Sequence, residues 1–112
     1  MGSGPSKYRF LSALSTVDDL QCADAVSGLE PCSSKSTQRF KYKDLGGIPA
    51  ENGCRWCSDV QQLVPVVAQN GGVFYRMKAG GDSCLSIQKG GAVGVAACDR
   101  SDPSQAFVLL PA

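Results

Sequence analysis

The stretch Cys84-Leu85-Ser86-Ile87-Gln88-Lys89-Gly90-Gly91-Ala92-Val93-Gly94-Val95-Ala96-Ala97-Cys98 decides the fold class. Two apolar runs, 84–88 and 92–97, flank Lys89-Gly90-Gly91. Paired glycines accept the positive φ of a tight reversal, so the segment reads as a β-hairpin. Its two cysteines are fourteen residues apart, a separation that suits a local bridge closing a loop. Seven residues after Cys98 comes Gln105-Ala106-Phe107, which leads into the apolar run Phe107-Val108-Leu109-Leu110. That run reads as a strand closing a sheet.

The same ingredients recur upstream. Cys22 and Cys32 are ten residues apart, and Gln38-Arg39-Phe40 follows six residues after Cys32. Lys7-Tyr8-Arg9-Phe10, Arg39-Phe40-Lys41-Tyr42-Lys43 and Tyr75-Arg76-Met77-Lys78 alternate aromatic or apolar side chains with bases. Period-two alternation is the signature of a half-buried strand. Tyr8, Tyr42 and Tyr75 lie 34 and 33 residues apart, which divides the chain into units of about 7–39, 40–73 and 74–112. Turn-rich connectors fall at 44–49, 69–72, 79–82 and 89–91, and thirteen glycines suit many turns better than long helices. Leu63-Val64-Pro65-Val66-Val67-Ala68 is a further strand, with Pro65 favouring an edge or a bulge. Thr16-Val17-Asp18-Asp19 and Ser58-Asp59-Val60-Gln61-Gln62-Leu63 carry helix-start signals. The fold expected is therefore all-β, a small antiparallel barrel with a pseudo-threefold repeat. A small α+β fold with an antiparallel sheet and two short helices is the alternative.

The chain has 112 residues, six cysteines and no histidine. Its size fits one domain with a small core. An even cysteine count in so short a chain points to a disulfide framework and an oxidising, extracellular compartment. Six cysteines allow fifteen complete pairings, among which sequence does not choose. Cys54 and Cys57 form a C-x-x-C with three open readings: a local bridge, partners in longer-range bridges, or half of a zinc or redox site. Zinc would need a second close pair, which the chain lacks. No metal or cofactor is expected.

Eleven basic and ten acidic side chains leave a net charge of +1. Nothing in that balance steers the molecule towards nucleic acid. No apolar run reaches the roughly 20 residues of a membrane-spanning helix. Met1-Gly2-Ser3-Gly4-Pro5-Ser6 lacks the charged and apolar sections of a signal peptide and reads as an expression-derived leader before a single domain over 7–112. Asn52 and Asn70 are each followed by Gly, so no N-glycosylation sequon is present.

The third unit resembles one lobe of the ricin B-type β-trefoil family, marked by Gln-x-Trp repeats. Cys84-Leu85-Ser86-Ile87, Val95-Ala96-Ala97-Cys98-Asp99 and Gln105-Ala106-Phe107 follow its pattern in order. The first unit resembles a shortened version, through Cys22-Ala23-Asp24-Ala25, Cys32 and Gln38-Arg39-Phe40. The middle unit matches in its length and flanking strands. The resemblance implies a β-trefoil with Cys22–Cys32 and Cys84–Cys98 bridges, and Gln-x-aromatic anchors at the hydrophobic centre. In this chain phenylalanine stands in both of those anchors, and the sole tryptophan, Trp56, sits between two cysteines.

A sugar site of that family couples an early-lobe Asp, a stacking ring and a later amide. Asp24 and Gln38 match the two polar positions, and Asp99 is the most family-like polar residue of the last lobe. The ring position holds Glu30 in the first unit and Ala96 in the third, so the large aromatic contact is missing. Asp24 and Asp99 also read as turn residues bonding their own backbone. Two other surfaces are candidates. Arg55 and Trp56 form a turn anchor or a piece of core. Arg9, Arg39, Lys41, Lys43, Arg76 and Lys78, with Lys7, form an outward basic patch if their strands are neighbours, or a set of solubilising strand faces. Strict alternation puts the aromatic rings on the opposite face, which disfavours nucleic acid. Val64, Val66, Val67 and Phe74 supply either core or a face for a second copy of the chain. No nucleotide-binding glycine motif or paired-acid pattern occurs, and a cysteine nucleophile would lack a histidine. The expected function is a secreted, non-enzymatic binding protein of the effector, elicitor or inhibitor kind, with a protein or glycan target. A ricin B-type lectin and a surface protein without a specific ligand are the alternatives.

Overall fold

The computed structural model describes residues 7–41, 53–68 and 71–111. The leader 1–6, the Tyr42-Lys43 end of the second predicted strand and the 44–49 connector lie outside the described residues. The described strands are β1 (Tyr8–Ser12), β2 (Gln21–Asp24), β3 (Gly28–Pro31), β4 (Gln62–Val67), β5 (Val73–Lys78), β6 (Ser83–Ile87), β7 (Val93–Ala97) and β8 (Phe107–Pro111). They form an antiparallel sheet in the order β3-β2-β1-β8-β5-β6-β7, with β4 on β5, curled into a nearly closed barrel. The fold is all-β, as the alternating strands and paired glycines predict.

β8 joins the two halves of the sheet. It pairs with β1 from Tyr8↔Pro111 to Ser12↔Phe107, and with β5 at Tyr75↔Phe107. Phe107 is thus shared between both neighbours and is 1% exposed. Phe10, Phe40, Leu63, Met77 and Leu85 pack into the same core. The hairpin predicted around Gly90-Gly91 is present as β6 and β7, joined from Ser83↔Ala97 to Ile87↔Val93, and both glycines take positive φ.

The first and third units repeat one another in detail. Disulfides join Cys22 to Cys32 and Cys84 to Cys98. In each unit the glutamine ending a 3₁₀ turn is buried, at 0% and 1% exposure. Gln38 accepts from the Ser33 amide at 2.8 Å and donates to the Pro31 carbonyl at 3.1 Å. Gln105 accepts from the Asp99 amide at 2.9 Å and donates to the Ala97 carbonyl at 2.8 Å. Each amide therefore clamps the backbone on both sides of the unit's second cysteine. Two residues later each phenylalanine meets a tyrosine across the sheet, Phe40 with Tyr8 and Phe107 with Tyr75.

The middle unit differs. Its described part holds a 3₁₀ turn at Cys57–Asp59 followed by β4. Cys54 and Cys57 bridge each other across that turn, which decides between the three readings of the C-x-x-C in favour of the local bridge. β4 pairs with β5 along its whole length, Gln62↔Lys78 to Val67↔Val73, and among the described strands has no second neighbour. Pro65, without an N–H, is tolerated on such an edge.

No helix forms at 16–20, and the signal at 58–63 yields only the single 3₁₀ turn Cys57–Asp59. Thr16 and Asp19 exchange two backbone hydrogen bonds in a tight reversal, and Val17 and Leu20 are 95% and 50% exposed, so no apolar stripe is buried there. After Asp59 the chain extends because the Gln61 amide is taken by the Lys78 carbonyl of β5. The α+β alternative falls with the two predicted helices: local capping signals lost to other backbone pairing.

Gly28 and Gly91 set how closely the β2–β3 and β6–β7 turns approach. A Cβ at Gly28 would sit 2.4 Å from the Gly91 carbonyl oxygen, at a φ of +92°. Gly28→Ala is expected to lower stability by about 2 kcal/mol or more, read as a drop in the urea midpoint. Removing the bridges singly by Cys→Ser pairs should follow loop length. The loop-entropy relation gives about 3 kcal/mol for both Cys84–Cys98 and Cys22–Cys32, and about 1.6 kcal/mol for Cys54–Cys57. Denaturant midpoints of the three double variants check that order.

Candidate functional site

Asp24 ends β2 and is 1% exposed. Its Oδ1 accepts from the amides of Val26 at 2.9 Å and Ser27 at 3.1 Å, and its Oδ2 from the Thr37 hydroxyl at 2.9 Å. Burial pushes the carboxyl pKa up, but these hydrogen bonds outweigh it and hold the group below the ordinary aspartate range. The third unit builds the same tie from neutral groups, Ser86 with Ser104 at 2.9 Å. Asp24 and Gln38 lie side by side, both buried and both hydrogen-bonded within the fold. Asp99 is exposed and accepts from the amide and hydroxyl of Ser101, which lowers its pKa. The turn reading of both aspartates describes their contacts.

Trp56 is core. It is 6% exposed, its ring lies 5.1 Å from Phe40, and its Nε1 donates to the Asp24 carbonyl at 3.1 Å. An exposed-anchor role therefore passes to Arg55 alone. Arg55 stands with Val26, Asp59, Ala92 and an edge of Trp56 around an open groove of about 310 Å³. No spacing in the chain links Val26 or Ala92 to Arg55, because only the contact between the two glycine turns brings them together.

The described bases fall into two sets. Tyr8↔Phe40 pairing puts Arg9 opposite Arg39 and Lys7 opposite Lys41. Arg9 donates to the Ser33 carbonyl and Arg39 to the Ser34 carbonyl, each at 2.9 Å. Arg76 and Lys78 sit elsewhere, because β8 separates β5 from β1. Along β8, Arg9 is level with Leu110, whereas Tyr75 is level with Phe107. The strand order thus replaces one patch with two clusters. Lys43 lies outside the described residues. Arg76 and Lys78 line a pocket of about 160 Å³ together with Val64, Asp82 and the Cys84–Cys98 bridge. Asp82 belongs to a connector that sequence marks only as a turn.

Of the valines at 64, 66 and 67, Val66 is buried while Val67 is 63% exposed. Val67 and Phe74 border a shallow groove of about 490 Å³ with Arg100 and Ser101. Among the described residues no group of His, Cys, Asp and Glu is arranged to hold a metal ion. No described helix is long and apolar enough to cross a membrane. No family model, curated protein or solved structure matches this chain.

The lowered pKa of Asp24 has a consequence with a definite sign. Its stabilisation is complete above the ordinary aspartate value of about 4 and is lost as pH falls through the lower folded value. Asp24→Asn should therefore be less stable than the parent at neutral pH and show a shallower fall of stability below about pH 4. Urea midpoints measured from about pH 2 to pH 7 test this.

Proposed function

We propose that this protein is a secreted binding module that engages a protein target through its loops and side faces, without catalysis. The observation that carries the reading is the occupation of Asp24 and Gln38. The polar pair that would hold a sugar in a ricin B-type lobe is buried and hydrogen-bonded internally, while the ring position holds Glu30 or Ala96. Glu30 itself faces Ser27 and forms an ion pair with Lys35 at 3.0 Å. Three disulfides are typical of extracellular proteins and support secretion. They hold short loops on a rigid barrel, and loops on rigid scaffolds are where recognition concentrates. The kinship with ricin B-type trefoils belongs to the same proposal. Its support is the pair of glutamine clamps and lobe disulfides, and fold alone does not carry a function across.

The test is a parallel screen of the disulfide-intact protein. An immobilised panel of extracellular proteins should return a partner whose binding saturates and is competed by free protein. A glycan array should return no signal that Asp24→Ala removes. A glycan signal abolished by that substitution, with no saturable protein partner, would replace this reading with the lectin. Absence of saturable binding on either platform would leave a structural surface protein.

A further inference from the structure

The pocket at Arg76 and Lys78 has the makings of an anion subsite, and comparison of the two repeated units shows why. Arg9 and Arg76 occupy equivalent places, each one residue after the tyrosine that pairs with a phenylalanine. In both, the guanidinium Nε is buried and has no hydrogen-bond partner. Their outer nitrogens differ. Arg9 donates to the carbonyl of Ser33, the residue after Cys32. The equivalent carbonyl in the third unit belongs to Asp99 and already accepts from the Asp102 amide in its own turn. Arg76 is therefore left without a protein acceptor among the described residues, and beside it the surface opens into the 160 Å³ pocket. The buried Nε is orphaned in both arginines and so does not set them apart; what does is that the outer guanidinium nitrogens of Arg76, which lines the pocket, have no acceptor among the described residues and can donate to a ligand there.

The lining says what kind. Arg76 and Lys78 contribute two positive charges and Asp82 one negative, none of them within an ion pair among the described residues. The pocket thus carries a net charge of about +1, which one monovalent oxyanion neutralises and a phosphate dianion overshoots. Val64 and the Cys84–Cys98 bridge supply an apolar wall for a short aliphatic stem. The planar guanidinium matches a carboxylate in two-point geometry. We propose that this pocket receives a carboxylate side chain, glutamate in size, presented by the partner protein. The identity of the donor as a protein rests on the functional reading above. The pocket's preference for a carboxylate does not.

The test titrates the disulfide-intact protein with N-acetyl-glutamate amide, following the Arg76 Nε–H signal by NMR, with methyl sulfate and sodium chloride at matched ionic strength as comparators. The expected result is a saturable shift of that signal with the glutamate derivative and none with chloride. Lys78→Gln should weaken the response about tenfold, and Asp82→Asn should strengthen it severalfold by removing the opposing charge. Arg76→Gln should abolish the accompanying shifts of the Cys84 and Cys98 amides. Lys78 and Asp82 reach the pocket rim from the surface, so their variants keep the test valid even where Arg76→Gln disturbs folding. No saturable shift, or one indifferent to Lys78 and Asp82, overturns the proposal. A response to methyl sulfate alone overturns it in favour of a sulfated glycan. A carboxylate response without any protein partner in the screen would keep the pocket and discard the proposed function.

Discussion

Two buried carboxamides hold the molecule in register. Gln38 and Gln105 each span the backbone on either side of a disulfide-bonded cysteine, one oxygen taking an amide and one nitrogen reaching a carbonyl. Strand ladders cannot satisfy these groups, because the chain leaves the sheet at that point to make a 3₁₀ turn. A buried peptide group without a partner would cost about 1–3 kcal/mol, and each glutamine removes two such costs together. An apolar residue in its place would fill the volume and forfeit both bonds. The phenylalanine two residues on then enters the core at a height already set by the clamp, which lets Phe107 serve two strands.

The repeat is faithful where it carries structure and drifts where it meets solvent. Cysteine spacing relaxes from fourteen residues to ten while the clamp is kept. The tie between β2 and its turn is a carboxylate with a hydroxyl in one unit and two hydroxyls in the other. Arg9 finds a carbonyl that Arg76 does not. In the described part of the middle unit, Cys54 and Cys57 bridge across a short turn and Trp56 packs against Phe40. Differences of this kind give the first and third units, alike in their clamps and bridges, different surfaces.

Much of the fold was legible in the residues. Alternation gave β1 and β5, paired glycines gave the β6–β7 turn, and Gln-x-Phe marked both points where the chain turns into the core. The helix signals at 16–19 and 58–63 are local and lose to other pairings: Thr16 and Asp19 bond each other in a tight reversal, and after the 3₁₀ turn at Cys57–Asp59 the Lys78 carbonyl takes the Gln61 amide. The candidate site was legible in type and not in placement. Asp24 and Gln38 were marked as a polar pair, but their orientation depends on Thr37 and on the Pro31 carbonyl. Grouping the bases required strand order, and no spacing in the chain shows that β8 lies between β1 and β5. From the sequence Trp56 reads equally as a turn anchor and as a piece of core. Its burial follows from the Asp24 carbonyl and the Phe40 ring, partners 32 and 16 residues away.

The position of β8 also bears on how the chain is made. Tyr8 is among the first described residues to leave the ribosome and Pro111 among the last, yet the two are paired. The nascent β1 must remain unpartnered on that side until nearly all of the intervening chain has been synthesised, and such long-range pairings form slowly. The disulfides of the first and third units need no such wait, since each joins cysteines within its own short segment. Oxidation can thus staple the separate pieces early, while the joining of the two halves of the sheet waits for β8.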